Sequence, residues 1–310
     1  MDSPIFIVGC PRSGTGIFHQ VVRLHPDVAW VTPFSNWICG KSWFRRVPPR
    51  IAWGVESVLH RMPPTVLPSF FRGPYDGSLH LPGPLETHEG HSIWNRALSD
   101  TSNHLATEDD ATEAVRTYLH DVIRWIRAYH QRPRFLSKTP RNAFRLRFLH
   151  ALFPNAFFVH LIRDGRAVTA SILKRRRQVH GDVHAWWGVK PPGWRSVQSA
   201  SPIEQAAWTW RPCLSRVRDD ATVLPNDRLL ELQYESFTSE PERALSRFFS
   251  FVDLTPAVFF TKANRQHLQN VHPPRHTWRT RLTTTQQATL VDLLSPELER
   301  YGYQSAPDSS

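Results

Sequence analysis

The chain opens on a continuous apolar run, Ile5, Phe6, Ile7 and Val8, without polar alternation. A strand covered on both faces gives this pattern, as in the parallel sheets of α/β proteins. The period then changes: Ile17, Phe18, Val21, Val22 and Leu24 recur at helical spacing, and the helix stops around His25, Pro26 and Asp27. A second helix is expected over about 108–130, from Ala114, Val115, Leu119, Val122, Ile123 and Ile126. The strand RFLSK ends at Thr139, a good N-cap with Pro140 behind it, and Phe144, Phe148 and Leu152 mark the buried side of the next helix. AFFVHLI, residues 156–162, is a strand feeding a helix capped by Asp164. A helix beginning near Ile203 carries Trp208 and Trp210 as core residues, RLLELQY is the last clear strand, and Ser239 with Pro241 opens the helix after it. Strands that alternate with helices predict a doubly wound, three-layer α/β fold.

Two stretches break the alternation. Residues 30–95 are rich in Trp, Phe, Pro and Arg without a clean period, and read as an irregular insertion over one end of the sheet, where specificity for a ligand can be built. GDVHAWWGVKPPGWRSV, within about 180–202, sets Trp186, Trp187 and Trp194 around Lys190 among prolines, a composition suited to a stiff lid. No internal repeat interrupts residues 1–310, which are expected to form a single domain.

Charge narrows the ligand. Lys+Arg number 38 against Asp+Glu 27, a formal net charge of +11, so an anionic ligand or surface is favoured. No recognised nucleic-acid module accompanies that charge, and nucleic acid is not expected as a partner. Cys10, Cys39 and Cys213 form no paired spacing, which argues against a disulfide framework or a zinc knuckle and fits a reducing cytoplasm. No apolar run approaches the ~20 residues needed to span a bilayer, so membrane contact, if any, is expected to be peripheral.

The first strand leads through GCPRSGTG into a helix, a turn that aims backbone N–H groups and a helix dipole at one oxyanion. A nucleotide-cleaving P-loop would place GK[ST] here; this loop closes on Gly14, Thr15 and Gly16, and its cation sits early, as Arg12. PRSGTG resembles the 5′-phosphosulfate loop, usually PRSGTT, of sulfotransferases that use 3′-phosphoadenosine 5′-phosphosulfate (PAPS), and PRSGTGIFHQVVRLHPDV is similar to their tyrosylprotein branch and its bacterial small-molecule relatives. HLIRDGRAVTASILKRRR, residues 160–177, resembles the same family's 3′-phosphate motif. The resemblance implies a three-layer, P-loop-like fold with a central parallel sheet. It implies donor binding by Arg12, Ser13, Gly14, Thr15 and Gly16 at the 5′ end, and by Arg163, Ser171 and Arg175 at the 3′-phosphate. Tyr234 in LQYESF and Trp278 with Arg279 in RHTWRTRL fall where the family touches or covers the nucleotide. Lys138 in LSKTP matches the lysine that faces the sulfuryl group. Arg176 and Arg177 are expected on a solvated helix face.

The resemblance implies transfer of a sulfuryl group from PAPS to a hydroxyl or amine, leaving 3′-phosphoadenosine 5′-phosphate (PAP), with Arg12 and Lys138 steadying the charge and no metal required. A hydroxyl acceptor must also lose a proton. The tyrosylprotein branch has Glu shortly after HPDV, where this chain has Thr32 and Pro33, and Gly16 replaces the second Thr of the loop. Candidates for the missing base lie in PLETHEGHSIW: Glu86 first, with His88 and Glu89 as substitutes. His88 and His91 form a bare H-x-x-H with no third ligand nearby, a weak metal pattern. The aromatic stretches point to a lipid, glycoside or other small amphipathic acceptor. A nucleotide-binding protein without turnover and a P-loop kinase-like enzyme are the alternatives, the second of which requires ATP and Mg²⁺.

Overall fold

The computed structural model describes residues 3–59, 87–98, 103–273 and 278–303. The apolar run forms β1 (Ile5–Val8), fully buried along its length, and the loop after it enters helix α1 (Thr15–Val22). Next comes β2 (Val28–Trp30), which the sequence pattern missed because three residues are too few to show a period. The stretch expected to be irregular holds helices α2 (Pro33–Cys39), α3 (Pro49–Leu59) and α4 (His91–Ala97) among its described residues. Helix α5 (Glu113–His130) starts at an N-cap, Thr112, that accepts from Val115 N, several residues later than the apolar spacing suggested.

Strand β3 (Arg134–Lys138) leads through a 3₁₀ turn, Pro140–Phe144, into α6 (Leu146–Leu152); Thr139 caps the turn as expected. Strand β4 (Phe157–Ile162), entirely buried, enters α7 (Gly165–His180), whose N-cap Asp164 accepts from Arg166 N. After α8 (Pro202–Ala221) come β5 (Leu229–Gln233) and α9 (Tyr234–Ser239). Helices α10 (Pro241–Phe251), α11 (Pro256–Phe259), α12 (Lys262–Leu268) and α13 (Thr284–Arg300) complete the described chain.

All five strands run parallel in the order β2-β3-β1-β4-β5. Apolar side chains bury on both faces of this sheet, one cluster built around Phe6, Phe158 and Trp210 and the other around Ile5, Ile7, Phe18 and Phe248. The fold is therefore the three-layer α/β arrangement that the alternation predicts. Chain order reverses beside β1, with β3 on one side and β4 on the other, so a crevice opens outside the carboxyl ends of these strands. By the registers Ile7↔Lys138 and Val8↔His160, β3 ends one residue short of the end of β1 and β4 runs two residues beyond it.

Candidate active site

The loop after β1 is shaped by backbone conformation. Gly14 is the N-cap of α1 with φ 85°, and no side chain caps the helix. The first-turn N–H groups thus face the loop's concave side without an intrahelical acceptor. Gly14 is required twice over, because a Cβ there would also fall 2.1 Å from the Tyr234 ring. Arg12 itself takes a positive φ of 70°, a conformation that non-glycine residues hold only when their surroundings enforce it. Ser13 is buried, and its hydroxyl has no hydrogen-bond partner. Thr15 is buried beside it, whereas the space a Gly16 side chain would occupy is open.

The second basic motif closes on the first. Arg12 Nε donates to Ser171 Oγ at 3.0 Å, and Arg163 Nη1 donates to the Arg12 carbonyl at 2.9 Å. The Arg163 guanidinium lies 4.4 Å from the Tyr234 ring, which packs on Gly14. Arg12, Gly14, Arg163, Ser171 and Tyr234 therefore meet in one place. Trp278 belongs to the same end of the molecule: Arg166, on the first turn of α7, sits 4.7 Å over its ring, and Arg279 covers it at 4.6 Å. Arg175, one turn beyond Ser171, reaches Trp187 of the 180–202 segment at 5.9 Å. That segment lies against the loop, since a Cβ on Gly188 would approach Pro11 at 3.4 Å.

Arg176 corrects an expectation. It is fully buried, and its Nη1 donates to Val183 O and to Gln205 Oε1 at 3.1 and 2.9 Å. Arg177 is exposed, as expected. Trp208 is half-buried and packs on Trp186, while Trp210 is core and donates to the Arg163 carbonyl.

On the other side of β1, Lys138 ends β3 and is nearly buried, with its Nζ 2.6 Å from Glu89 Oε1. The HEGH segment reaches this point because His88 N donates to Val31 O, and the Asn36 carboxamide oxygen of α2 accepts from Ser92 N. Glu89 thus fills in space the neighbourhood where residues 32 and 33 lack a carboxylate. Thr32 is occupied otherwise, as the N-cap of α2, donating from Oγ1 to the buried Glu56. Nothing local in the sequence marked Glu56. Glu86, the first choice for the base, lies outside the described residues.

Electrostatics separate the remaining candidates. Burial would raise the Glu89 carboxyl, but Lys138, by charge and hydrogen bond, holds it below its ordinary range. Burial, then His91, pushes His88 down to about 4, so its ring is neutral near pH 7. His88 Nδ1 accepts from Gly90 N at 2.9 Å, which places the ring proton on Nε2 and leaves no lone pair to receive another. His91 is lowered by burial and stands 3.6 Å from Glu89 Oε2. His19, inside α1, went unnoticed in the sequence; it is buried with both ring nitrogens unpartnered, held neutral by burial, then Lys138 and Arg23. Among the described residues no group of three or more His, Cys, Asp or Glu could hold a metal ion, and no helix is long and apolar enough to cross a membrane.

A loop on an uncapped helix, two arginines converging beside it and a lysine opposite make an arrangement suited to an anionic ligand. Residues 75–257 match the sulfotransferase family, and the chain belongs to it. It is 22% identical over 321 aligned residues to the omega-hydroxy-beta-dihydromenaquinone-9 sulfotransferase Stf3 of Mycobacterium bovis, covering 97% of this chain and 76% of that protein. Protein-tyrosine sulfotransferase A of Caenorhabditis elegans is 24% identical over 252 residues, 81% of this chain and 50% of that one. Among solved structures, sulfotransferase STF9 from Mycobacterium avium shares the fold, with a TM-score of 0.57 at 14% identity, covering 98% of this chain and 78% of that one.

Proposed function

We propose that this chain transfers a sulfuryl group from PAPS to a hydroxyl or amine of a small amphipathic acceptor, leaving PAP, in one domain whose segment at about 180–202 closes over the loop. The observation that carries the reading is the bonded series Ser171, Arg12, Arg163, which joins the two basic motifs side by side. Fit to the donor is supported by the unpartnered, buried Ser13 hydroxyl and by an uncapped helix start in the same loop. When bound, PAPS supplies a sulfuryl group on a phosphate leaving group.

The chain's own residues do the rest. Arg163 and Ser171, with the Arg12 guanidinium already on Ser171, hold the 3′-phosphate. The N–H groups of Ser13, Gly14, Thr15 and Gly16 face the 5′ end, and Tyr234, Trp278 and Arg279 flank the nucleotide, with Arg175 steadying the closed segment through Trp187. Lys138 stabilises charge on the departing oxygen. Glu89 receives the acceptor's proton, ahead of His88, whose ring has no free lone pair. As Lys138 turns from Glu89 toward the developing charge, Glu89 loses the partner that keeps its pKa low, and its basicity rises when the proton must be taken. An apolar alcohol, of the kind the mycobacterial relative's name describes, suits the aromatic residues Phe34, Trp37 and Trp43 near this end of the sheet.

Calorimetric titration with PAP and with adenosine 5′-phosphate tests the donor site: loss of the 3′-phosphate should cost about 100-fold in affinity, from two or more charge-assisted hydrogen bonds. Equal affinities overturn the assignment of Arg163 and Ser171. Glu89→Gln should lower kcat by roughly 10²–10⁴-fold with PAP affinity unchanged, and normal turnover in that variant removes Glu89 from the mechanism.

A further inference from the structure

Beyond Lys138, the 3₁₀ turn sends two arginines back toward the HEGH segment. Arg141 is half-exposed and donates from Nη1 to Asn95 Oδ1 at 3.2 Å. Arg145 is only 2% exposed, and its Nε and Nη1 have no hydrogen-bond partner; its guanidinium rests 5.7 Å from the Trp94 ring. From the opposite side comes Lys190. Its backbone N donates to His104 Nδ1 at 2.9 Å and its carbonyl accepts from His104 N at 3.0 Å, so the 180–202 segment is latched to the chain around His104.

The chain around His104 lies against the same turn, since Ala106 N donates to the carbonyl of Phe144, the neighbour of Arg145, at 3.0 Å. His104 is held down to about 3 by burial, then by Arg141, Arg145 and Lys190. Burial, then Arg141, brings Arg145 down to about 9. Glu89 acts on Arg141, and it is bonded to Lys138. Three cations around a neutral imidazole, one of them buried without a carboxylate among the described residues, make an arrangement that folding alone disfavours, because buried charges are ordinarily paired.

Building on the sulfuryl-transfer reading, we propose that Arg145, with Arg141 and Lys190, forms an anion subsite beside Glu89 that takes a carboxylate or phosphate group carried by the acceptor. The acceptor is then an apolar molecule with a hydroxyl at Glu89 and a single acidic group a short distance away. Residues 180–202 contribute Lys190, so closing that segment completes the subsite.

The test uses full-length protein saturated with PAP, so that the nucleotide cradles are filled, titrated with inorganic phosphate and separately with benzoate while the melting temperature is followed. A saturable rise with either anion, lost in Arg145→Met and reduced in Arg141→Gln, is expected; a response to one anion alone identifies the acidic group. No rise in the wild-type protein, or a rise that persists in both variants, overturns the proposal. A second readout needs no ligand: Arg145→Met should raise the melting temperature of the free protein, since an unpaired buried charge is replaced by an apolar chain of similar volume. A fall shows that Arg145 only supports the fold and overturns the subsite. If PAP fails to bind, the donor assignment falls separately, and the same anion titration is then run on Arg12→Ala protein.

Discussion

Replacing Gly14 with alanine tests the geometry of the loop most directly, because Gly16, two residues on, supplies a matched control. At Gly14 the backbone has φ 85°, and an added Cβ would stand 2.1 Å from Tyr234 Cδ2 and 2.4 Å from Cε2. The left-handed conformation costs an alanine roughly 1–2 kcal/mol, and overpacking adds about 1–3 kcal/mol, so Gly14→Ala should destabilise by about 2–5 kcal/mol. Relief requires the Tyr234 ring to move, and Arg163 rests 4.4 Å above that ring. PAP affinity should therefore fall together with stability. At Gly16 nothing lies within 4 Å of the added atom and φ is not positive. Gly16→Ala, in the first turn of α1, should be neutral or stabilising by up to about 1 kcal/mol, since it removes freedom from the unfolded chain. Urea unfolding and PAP calorimetry on both variants provide the measurements. If the two alanines behave alike, Tyr234 is not seated on the loop, and the convergence of Gly14, Tyr234 and Arg163 is wrong.

His104 and His130 are both buried with pKa values of about 3, against about 6.5 in an unfolded chain. The folded pKa lies below the unfolded one, so the stabilisation is complete above about pH 6.5 and is lost as pH falls. Between pH 6 and 4 these two groups alone should take up about two protons on unfolding, with His19 and His88, also held low by burial, adding to the uptake, so stability should decline by roughly 2.7 kcal/mol per pH unit or more, read from urea midpoints. A flat profile there refutes the neutral, buried placement. For Arg176→Met, the Val183 carbonyl and Gln205 Oε1 lose their donor; amide exchange across residues 181–200 should accelerate about tenfold or more, from ~1–3 kcal/mol of lost local stability. Unchanged exchange would show that the segment is held by other contacts.

What the sequence showed, it showed through local signals. The apolar runs at β1, β3 and β4, the Thr139–Pro140 start and the Asp164 cap each declare themselves within a few residues. The two basic motifs were legible for the same reason, as each is a strand end joined to a helix start. Their meeting was not, because Arg12 and Ser171 are 159 positions apart. Lys138 and Glu89 are separated by 49, and their contact depends on His88 pairing with Val31, a tertiary event with no trace in periodicity. Arg176 misled for a related reason: in KRRR every position reads as solvated, and only the segment folded over α7, with Val183 and Gln205, decides which arginine turns inward. Helices α2 and α4 escaped because seven residues barely complete two turns and leave little period to read.

The sheet register accounts for how such distant residues come to act on one group. Parallel neighbours lie about 4.8 Å apart, so whatever ends β3 and β4 stands one strand spacing to either side of the loop after β1. With Ile7 level with Lys138 and Val8 level with His160, Lys138 flanks the loop on one side while Arg163, three residues past His160, flanks it on the other. The loop N–H groups are thus bracketed by a cation paired to a carboxylate and by a cation fixed to the loop's own backbone. The difference in pairing separates the roles. Arg163 donates to a carbonyl that cannot leave it, which suits the proposed role of fixed holder; Lys138 is bonded to a side chain, Glu89, which suits the proposed exchange of that partner for developing charge. A one-residue slip of β3 against β1 would turn Lys138 to the opposite face of the sheet and dismantle the pair with Glu89, while leaving the Arg12, Arg163 and Ser171 series intact. On the roles proposed above, binding and turnover are separable in this fold, with donor affinity assigned to the β1–β4 side and proton removal to the β1–β3 side.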